Sequence, residues 1–288
     1  MILVDFSQTF ISGVMAITNN GKLPIEEGLI RHTALNMLRS YNQKFGKEYG
    51  EMVICCDHYH TWRKDVFPYY KCRRQLAHKD SLVDWNGMYT YLAKVIGEIT
   101  DNFPYRVIKV DGAEGDDVIG TMVRNRGEQM MGGYETTLII SGDEDFCQLQ
   151  SYDNVKQYYP LKKRIIANPN PKDFLLEHII DGDYGDDIPN ILNSDDAIIN
   201  KLSKKKMTAG RLEELKNRYK SSKTTIVEEV DIRFERNKKL IDLIYTPMEL
   251  QRQIVAVYCS QSGKDRKKIQ HYLMKYRLKD LMAVIGEF

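Results

Sequence analysis

The chain has 288 residues, 42% of them hydrophobic and 28% charged, enough for one large domain or two modest ones around a buried core. Its net charge of +2 excludes neither acidic nor basic partners, because acid gathers at the ends of apolar runs while base gathers in the middle and the C-terminal third. The five cysteines, Cys55, Cys56, Cys72, Cys147 and Cys259, form no CxxC pair, so a reduced cytoplasmic protein is expected. No signal peptide is expected, since Met1 already opens a strand, and no apolar run approaches the roughly 20 residues that span a bilayer.

In chain order, Met1-Ile-Leu-Val reads as a strand stopping at Asp5. A helical pattern follows over 25–45, with Gly46 as a stop signal. A second strand, Met52-Val-Ile-Cys-Cys, stops at Asp57, and residues 86–100 repeat the helical spacing. Tyr105-Arg-Val-Ile-Lys-Val is a third strand, leading through Asp111 and Gly112 into a helix that begins at Glu114 and carries Asp116 and Asp117. Thr137-Leu-Ile-Ile is a fourth, running into Ser141-Gly-Asp-Glu-Asp. A hairpin of Val155–Tyr159 and Arg164–Ala167 closes this part. Beyond about residue 180 the pattern turns to short helical segments, ending in one amphipathic helix near 266–285. The alternation of strand and helix implies an α/β fold with a mostly parallel sheet and helices on both faces. We expect residues 1–180 to form the catalytic body and 181–288 a smaller helical region.

In a parallel sheet, residues just past the strand ends collect along one edge, where open α/β sheets place ligands. A lone Asp there is as often a turn former or helix N-cap, and Glu114 with Asp117 suits a helix N-terminus for structural reasons alone. Asp143 and Asp145, on one face of an extended segment, and Asp183 and Asp186 in Gly182-Asp-Tyr-Gly-Asp-Asp are harder to assign that way. Five acidic clusters in one setting exceed what mutual repulsion allows without cations. Oxygen-only ligation, without His or Cys, suits Mg²⁺ or Mn²⁺ rather than zinc, and two such ions serve in-line phosphoryl displacement.

Directly after Asp57, cations (Arg63, Lys64, Lys71, Arg73, Arg74) interleave with aromatics (Trp62, Phe67, Tyr69, Tyr70), a mixture suited to single-stranded nucleic acid. The alternative is a solvated helix face with a few core aromatics. Residues 201–223 hold nine Lys or Arg against two Glu, and 264–280 hold seven against two Asp, as a duplex-binding surface would.

On Leu3-Val-Asp-Phe-Ser-Gln, Cys56-Asp57, Trp62-Arg-Lys-Asp, Tyr69-Tyr-Lys, Glu114-Gly-Asp-Asp, Ser141-Gly-Asp-Glu-Asp-Phe, Gly182-Asp-Tyr-Gly-Asp-Asp and the ending Gly286-Glu-Phe, the chain resembles the 5′ nucleases of the flap-endonuclease superfamily, nearest its T-even phage ribonuclease H branch. The resemblance runs almost end to end. It implies a PIN-like core and a Mg²⁺-dependent 5′-to-3′ exonuclease with flap endonuclease activity, acting on RNA/DNA and DNA/DNA duplexes in lagging-strand replication in the host cytoplasm. Asp5, Asp57, Glu114 and Asp116 or Asp117 would form a first metal group, and Asp143, Asp145, Asp183 and Asp186 a second. Two Mg²⁺ ions would bind, with Mn²⁺ as a substitute. Arg63 and Lys71 would approach the scissile phosphate from a helical arch over about 63–85. Lys64, Tyr70, Arg74, Lys204, Lys205, Lys206 and Arg211 would contact nucleic acid.

The family's Asn-Ile-Pro-Gly and glycine-rich helical hairpin are altered here: Asp187 stands for the Asn, Asn190 for the Gly, and the later glycines are missing, so a standard monovalent-ion site is not expected. A phage single-stranded-DNA-binding protein is the implied partner, a sliding clamp less so, and a monomer is expected. Two other readings are a PIN-type single-strand ribonuclease and a non-catalytic nucleic-acid-binding relative. The basic–aromatic insertion argues against the first, the complete acidic set against the second.

Overall fold

A computed structural model describes residues 1–79, 81, 83–127, 136–202, 205–220 and 228–288. Six strands form one sheet in the order β3-β2-β1-β4-β5-β6. They are β1 (Ile2–Asp5), β2 (Met52–Cys55), β3 (Arg106–Ile108), β4 (Thr137–Ile140), β5 (Val155–Tyr159) and β6 (Arg164–Ile166). The first five run parallel, and β6 returns antiparallel to β5 as the anticipated hairpin. Because strand side chains alternate, each central strand feeds two layers. Ile2, Val4, Ile54, Leu138 and Ile140 enter one core; Leu3, Val53, Cys55 and Ile139 enter the other.

The first layer holds α1 (Phe6–Ile17), α2 (Glu27–Tyr49) and α5 (Trp85–Asn102); the second holds α6 (Gly115–Gly127) and α10 (Met248–Ser260). Sequence periodicity did not single out α1. The helix α2 runs through Gly46 and ends at Gly50 (φ 75°). Burying Phe45 and Tyr49 outweighs the ~1 kcal/mol that a mid-helix glycine costs.

A third core lies apart from the sheet. It joins α7 (Pro171–Asp181), α8 (Ala209–Lys220) and α9 (Glu229–Ile241) to Phe67 and Tyr70 of the segment after β2. That segment carries α3 (Trp62–Val66) and α4 (Cys72–Lys79). The chain then returns to the sheet layers: α10 covers the second, and α11 (Ile269–Lys275), α12 (Lys279–Ala283) and the terminal Phe288 cover the first.

The single helix expected near 266–285 is therefore two. Arg277 takes a left-handed conformation (φ 55°), while Leu278 N–H bonds to Leu273 O and Arg277 N–H to Met274 O, a Schellman ending. Bending there lets Leu273 and Leu281 enter the same core. Among the described residues, no helix is long and apolar enough to cross a membrane.

Candidate active site

Strand order reverses between β1 and β4, and the crevice past their carboxyl ends is where this class of sheet presents ligands. Asp5 closes β1 and caps α1, accepting from Gln8 N–H; Ser141 Oγ, just past β4, donates to its other oxygen at 2.7 Å. Asp57 stands beyond β2 and accepts from Gly115 N–H at 2.7 Å, which ties the β2 exit to the start of α6. Asp116 occupies the first turn of α6. Asp143 caps the 3₁₀ turn Glu144–Ser151 by accepting from Asp145 N–H at 3.0 Å. Glu144 is exposed and does not line the cleft, but the segment is not extended as its spacing suggested: a 3₁₀ turn begins at Glu144, and it is this turn that directs Asp143 and Asp145 together.

The second contribution arrives from outside the sheet. Gly182 (φ 74°) ends α7 and turns the chain, and a bridge between Asp183 and Ile188 closes the loop. Asp183 Oδ1 accepts from Gly185 and Asp186 N–H, fixing both acids relative to each other. The result is a cleft of about 360 Å³ lined by seven aspartates: Asp5, Asp57, Asp116, Asp143, Asp145, Asp183 and Asp186.

Crowding raises the carboxyl pKa values. Burial, then Asp57, pushes Asp5 up to about 7; burial, then Asp145, lifts Asp143 to about 6; burial, then Asp186, lifts Asp183 to about 6. Burial followed by Asp143 and Asp5 raises Asp116 as well. A site whose carboxylates hold protons this firmly is short of positive charge, and oxygen donors at this density fit divalent cations.

The cations expected above the cleft divide into two kinds. Lys71 and Arg74 line it. Lys71 adopts φ 54°, rare for a side-chain-bearing residue, held by its N–H donating to Asp186 O. Its ammonium lies 2.7 Å from Glu114 Oε1 and 3.3 Å from Asp186 Oδ2. Arg74 reaches Asp186 Oδ1 at 3.2 Å and stays half exposed. The neighbouring Arg73 instead turns to the buried Asp187 and to Tyr184 O. A ladder of rings, His78 stacked on Trp85 at 4.0 Å and Trp85 on Tyr89 at 6.0 Å, lines the cleft beside them.

Four sequence expectations need correction. Arg63 does not face the cleft: it is 3% exposed and bonds to Glu114, Asp117 and Leu240 O. Asp117 is wholly buried on the other side of α6, held by Arg63, Trp62 Nε1, Thr246 Oγ1 and Glu114 N–H. Glu114 shares that side, since i and i+3 lie on one helical face, and it lies behind Lys71. Burial alone would raise its pKa, but Lys71 and Arg63 outweigh this and hold it at about 2. Tyr70 is 2% exposed, its single O–H shared between Asp186 Oδ2 at 2.8 Å and Glu114 Oε2 at 3.0 Å, so it supports the site from beneath. The shared reason is that Trp62 and Arg63 of α3, together with Thr246, close over this side of α6, while Arg63 is anchored in turn on Leu240 O of α9, which local spacing does not reveal.

Of the remaining expected contacts, Lys64 is half-buried, Lys205, Lys206 and Arg211 are exposed, and Lys204 lies outside the described residues. Asn190 and Asn193 both donate to Lys205 O, and Lys205 N–H returns a bond to Asn193 Oδ1. Side-chain amides thus hold this loop where glycines were missing.

Sequence reasoning also missed a nitrogen. His178, in the last turn of α7, places Nε2 3.0 Å from Asp145 Oδ1 and 3.9 Å from Asp183 Oδ2. Burial opposes its protonation, yet Asp145 and Asp183 prevail and raise its pKa. The donor atoms of Asp145, His178 and Asp183 all lie within 4.8 Å of one another, a grouping that could hold a metal ion with one nitrogen among its donors. A histidine one helical turn ahead of Gly182-Asp183 was the available signal.

Similarity to known proteins identifies the family of the chain. Residues 5–175 match the family model of the 5′-3′ exonuclease N-terminal resolvase-like domain, and residues 171–288 match that of the T4 RNase H C-terminal region. The chain is 32% identical to Ribonuclease H of Enterobacteria phage T4 over 99% of its own length and 95% of the relative's. It is 31% identical to DNA polymerase I of Rhizobium leguminosarum over 46% of the chain, which corresponds to 12% of that protein. Two solved structures share the fold at 14% identity, each covering 91% of this chain and 99% of the other. These are T5 D15 protein co-crystallised with metal ions (TM-score 0.63) and T5 5′-exonuclease with bound zinc (TM-score 0.65).

Proposed function

The chain belongs to the 5′-3′ exonuclease family, and from that premise we propose that it is a Mg²⁺-dependent, structure-specific 5′ nuclease. It would remove RNA primers and 5′ flaps during lagging-strand replication. The observation that carries this reading is the convergence of seven aspartates on one cleft with Lys71 and Arg74 beside them.

The fit to divalent metal rests on the donor set itself: carboxylates raised by burial and by one another's charge, and a solvent-shielded histidine nitrogen 3.0 Å from Asp145. Asp5, Asp57 and Asp116 would hold one ion; Asp143, Asp145, Asp183 and Asp186 the other. When bound, such ions lower the pKa of an attacking water and neutralise the leaving oxygen.

The chain's own residues would do the rest. Lys71, fixed by Glu114 and Asp186, places one positive charge where a phosphodiester gains negative charge in the transition state. Arg74 would bind the neighbouring phosphate by its free donors. The His78–Trp85–Tyr89 ladder would stack the bases of a frayed 5′ strand. We assign duplex contacts to the region after residue 180, where Lys205, Lys206 and Arg211 are exposed.

The test is cleavage of a labelled 5′ flap, a nicked RNA–DNA duplex and an unstructured RNA, with Mg²⁺ and with EDTA. Cutting of the first two only, and only with Mg²⁺, is expected. Preference for the unstructured RNA would mean a single-strand ribonuclease instead.

A further inference from the structure

We propose that His178 is a nitrogen donor to the divalent ion held by Asp145 and Asp183, so that one of the two sites is mixed nitrogen–oxygen. The inference rests on the cleft being a metal site and specifies its chemistry.

His178 and Asp183 flank the end of α7, so one helix terminus brings both, while Asp145 comes from the turn after β4. Their donor atoms lie within 4.8 Å of one another, a spacing that one ion can bridge. The Nε2 atom is shielded from solvent and makes no well-directed hydrogen bond, although Asp145 Oδ1 is 3.0 Å away. A buried polar nitrogen left in that state is costly unless something fills the gap. Phe174, one turn earlier in α7, lies nearly parallel to the imidazole, with centroids 5.8 Å apart at 12°, and restrains the ring. His178 stands behind Asp145 and Asp183 at the cleft's edge, whereas the histidine that lines the cleft, His78, is stacked on Trp85.

An imidazole donor changes metal choice. It favours Mn²⁺, Co²⁺ and Zn²⁺ over Mg²⁺ relative to an all-carboxylate site. The Asp5–Asp57–Asp116 group offers oxygen alone, so the two sites of one cleft would differ in preference.

The test uses the full chain with Mn²⁺ as the probe. Electron paramagnetic resonance counts bound Mn²⁺, and electron spin-echo modulation reports directly coordinated nitrogen. We expect nitrogen coupling in the wild type, converted to the ¹⁵N pattern by ¹⁵N-histidine labelling, a control that needs no substitution. The coupling should vanish in His178→Gln and persist in His78→Asn. Mn²⁺ affinity of His178→Gln should fall about tenfold, and Mg²⁺ affinity only about twofold. Bound Mn²⁺ without histidine coupling, or coupling that survives in His178→Gln, overturns the assignment while leaving the metal site standing. Absence of Mn²⁺ binding altogether overturns both.

Discussion

The ammonium of Lys71 lies 2.7 Å from Glu114 Oε1. A carboxylate expected among the metal ligands is therefore the anchor of a cation expected at the scissile phosphate. Glu114 also accepts from Arg63, Tyr70 and Thr61, so it remains paired when Lys71 is removed. Lys71→Ala should keep the fold and lower the single-turnover cleavage rate about 100-fold, with only a modest loss of flap affinity. An unchanged single-turnover rate would remove Lys71 from the mechanism.

Asp145 and Asp183 approach the same point from different elements. Asp145→Asn or Asp183→Asn should nearly abolish cleavage while fluorescence anisotropy still shows flap binding. Full activity in either variant would contradict a two-ion cleft.

Asp116 and Asp117 are adjacent in sequence and opposite in role. Asp117 is wholly buried against Arg63, so Asp117→Ala should lower stability by about 3 kcal/mol in urea denaturation, since it leaves a buried guanidinium short of a partner. Asp116→Asn should instead raise the melting temperature of the metal-free protein and weaken its response to Mg²⁺. Identical effects of the two substitutions would remove the distinction.

Asp5, Asp143 and Asp183 carry pKa values of about 7, 6 and 6, all above their ordinary value of 3.8. Between about pH 4 and 7 the folded protein therefore binds more protons than the unfolded chain, and its stability falls as pH rises through that window. In EDTA the melting temperature should drop by on the order of 5 °C from pH 5 to 7.5. Mg²⁺ should restore more at pH 7.5 than at pH 5, where protons already relieve the repulsion. A metal-free melting temperature that rises across this range would show that the carboxylates do not repel one another.

Trp85 lies between His78 and Tyr89 in the ring ladder. Trp85→Ala should weaken binding of a substrate with a single-stranded 5′ arm by roughly 1–3 kcal/mol and spare a blunt duplex. Equal loss on both substrates would make its role structural.

Much of this was written locally. β1, β2, β4 and the β5–β6 hairpin lie where short apolar or β-branched runs end in acid or turn residues. Asp5, Asp57, Asp143 and Asp145 follow from that pattern, because a parallel sheet sends every strand exit to one edge. Asp183 and Asp186 could be listed from their spacing, yet their arrival at that edge depends on the third core carrying the end of α7 back to the sheet.

What the chain determined by itself was the acidic edge, the parallel sheet and the supply of cations after Asp57, since each depends on short-range periodicity. What only the tertiary structure decided was direction. Covering one side of α6 with α3 and Thr246 turned Glu114 and Asp117 inward, drew Arg63 and Tyr70 under the site, and left Asp116 facing the cleft. The end of α7 added His178 to a set expected to hold oxygen alone. A helix presents every face equally in its sequence, and long-range packing alone determines which face stays open.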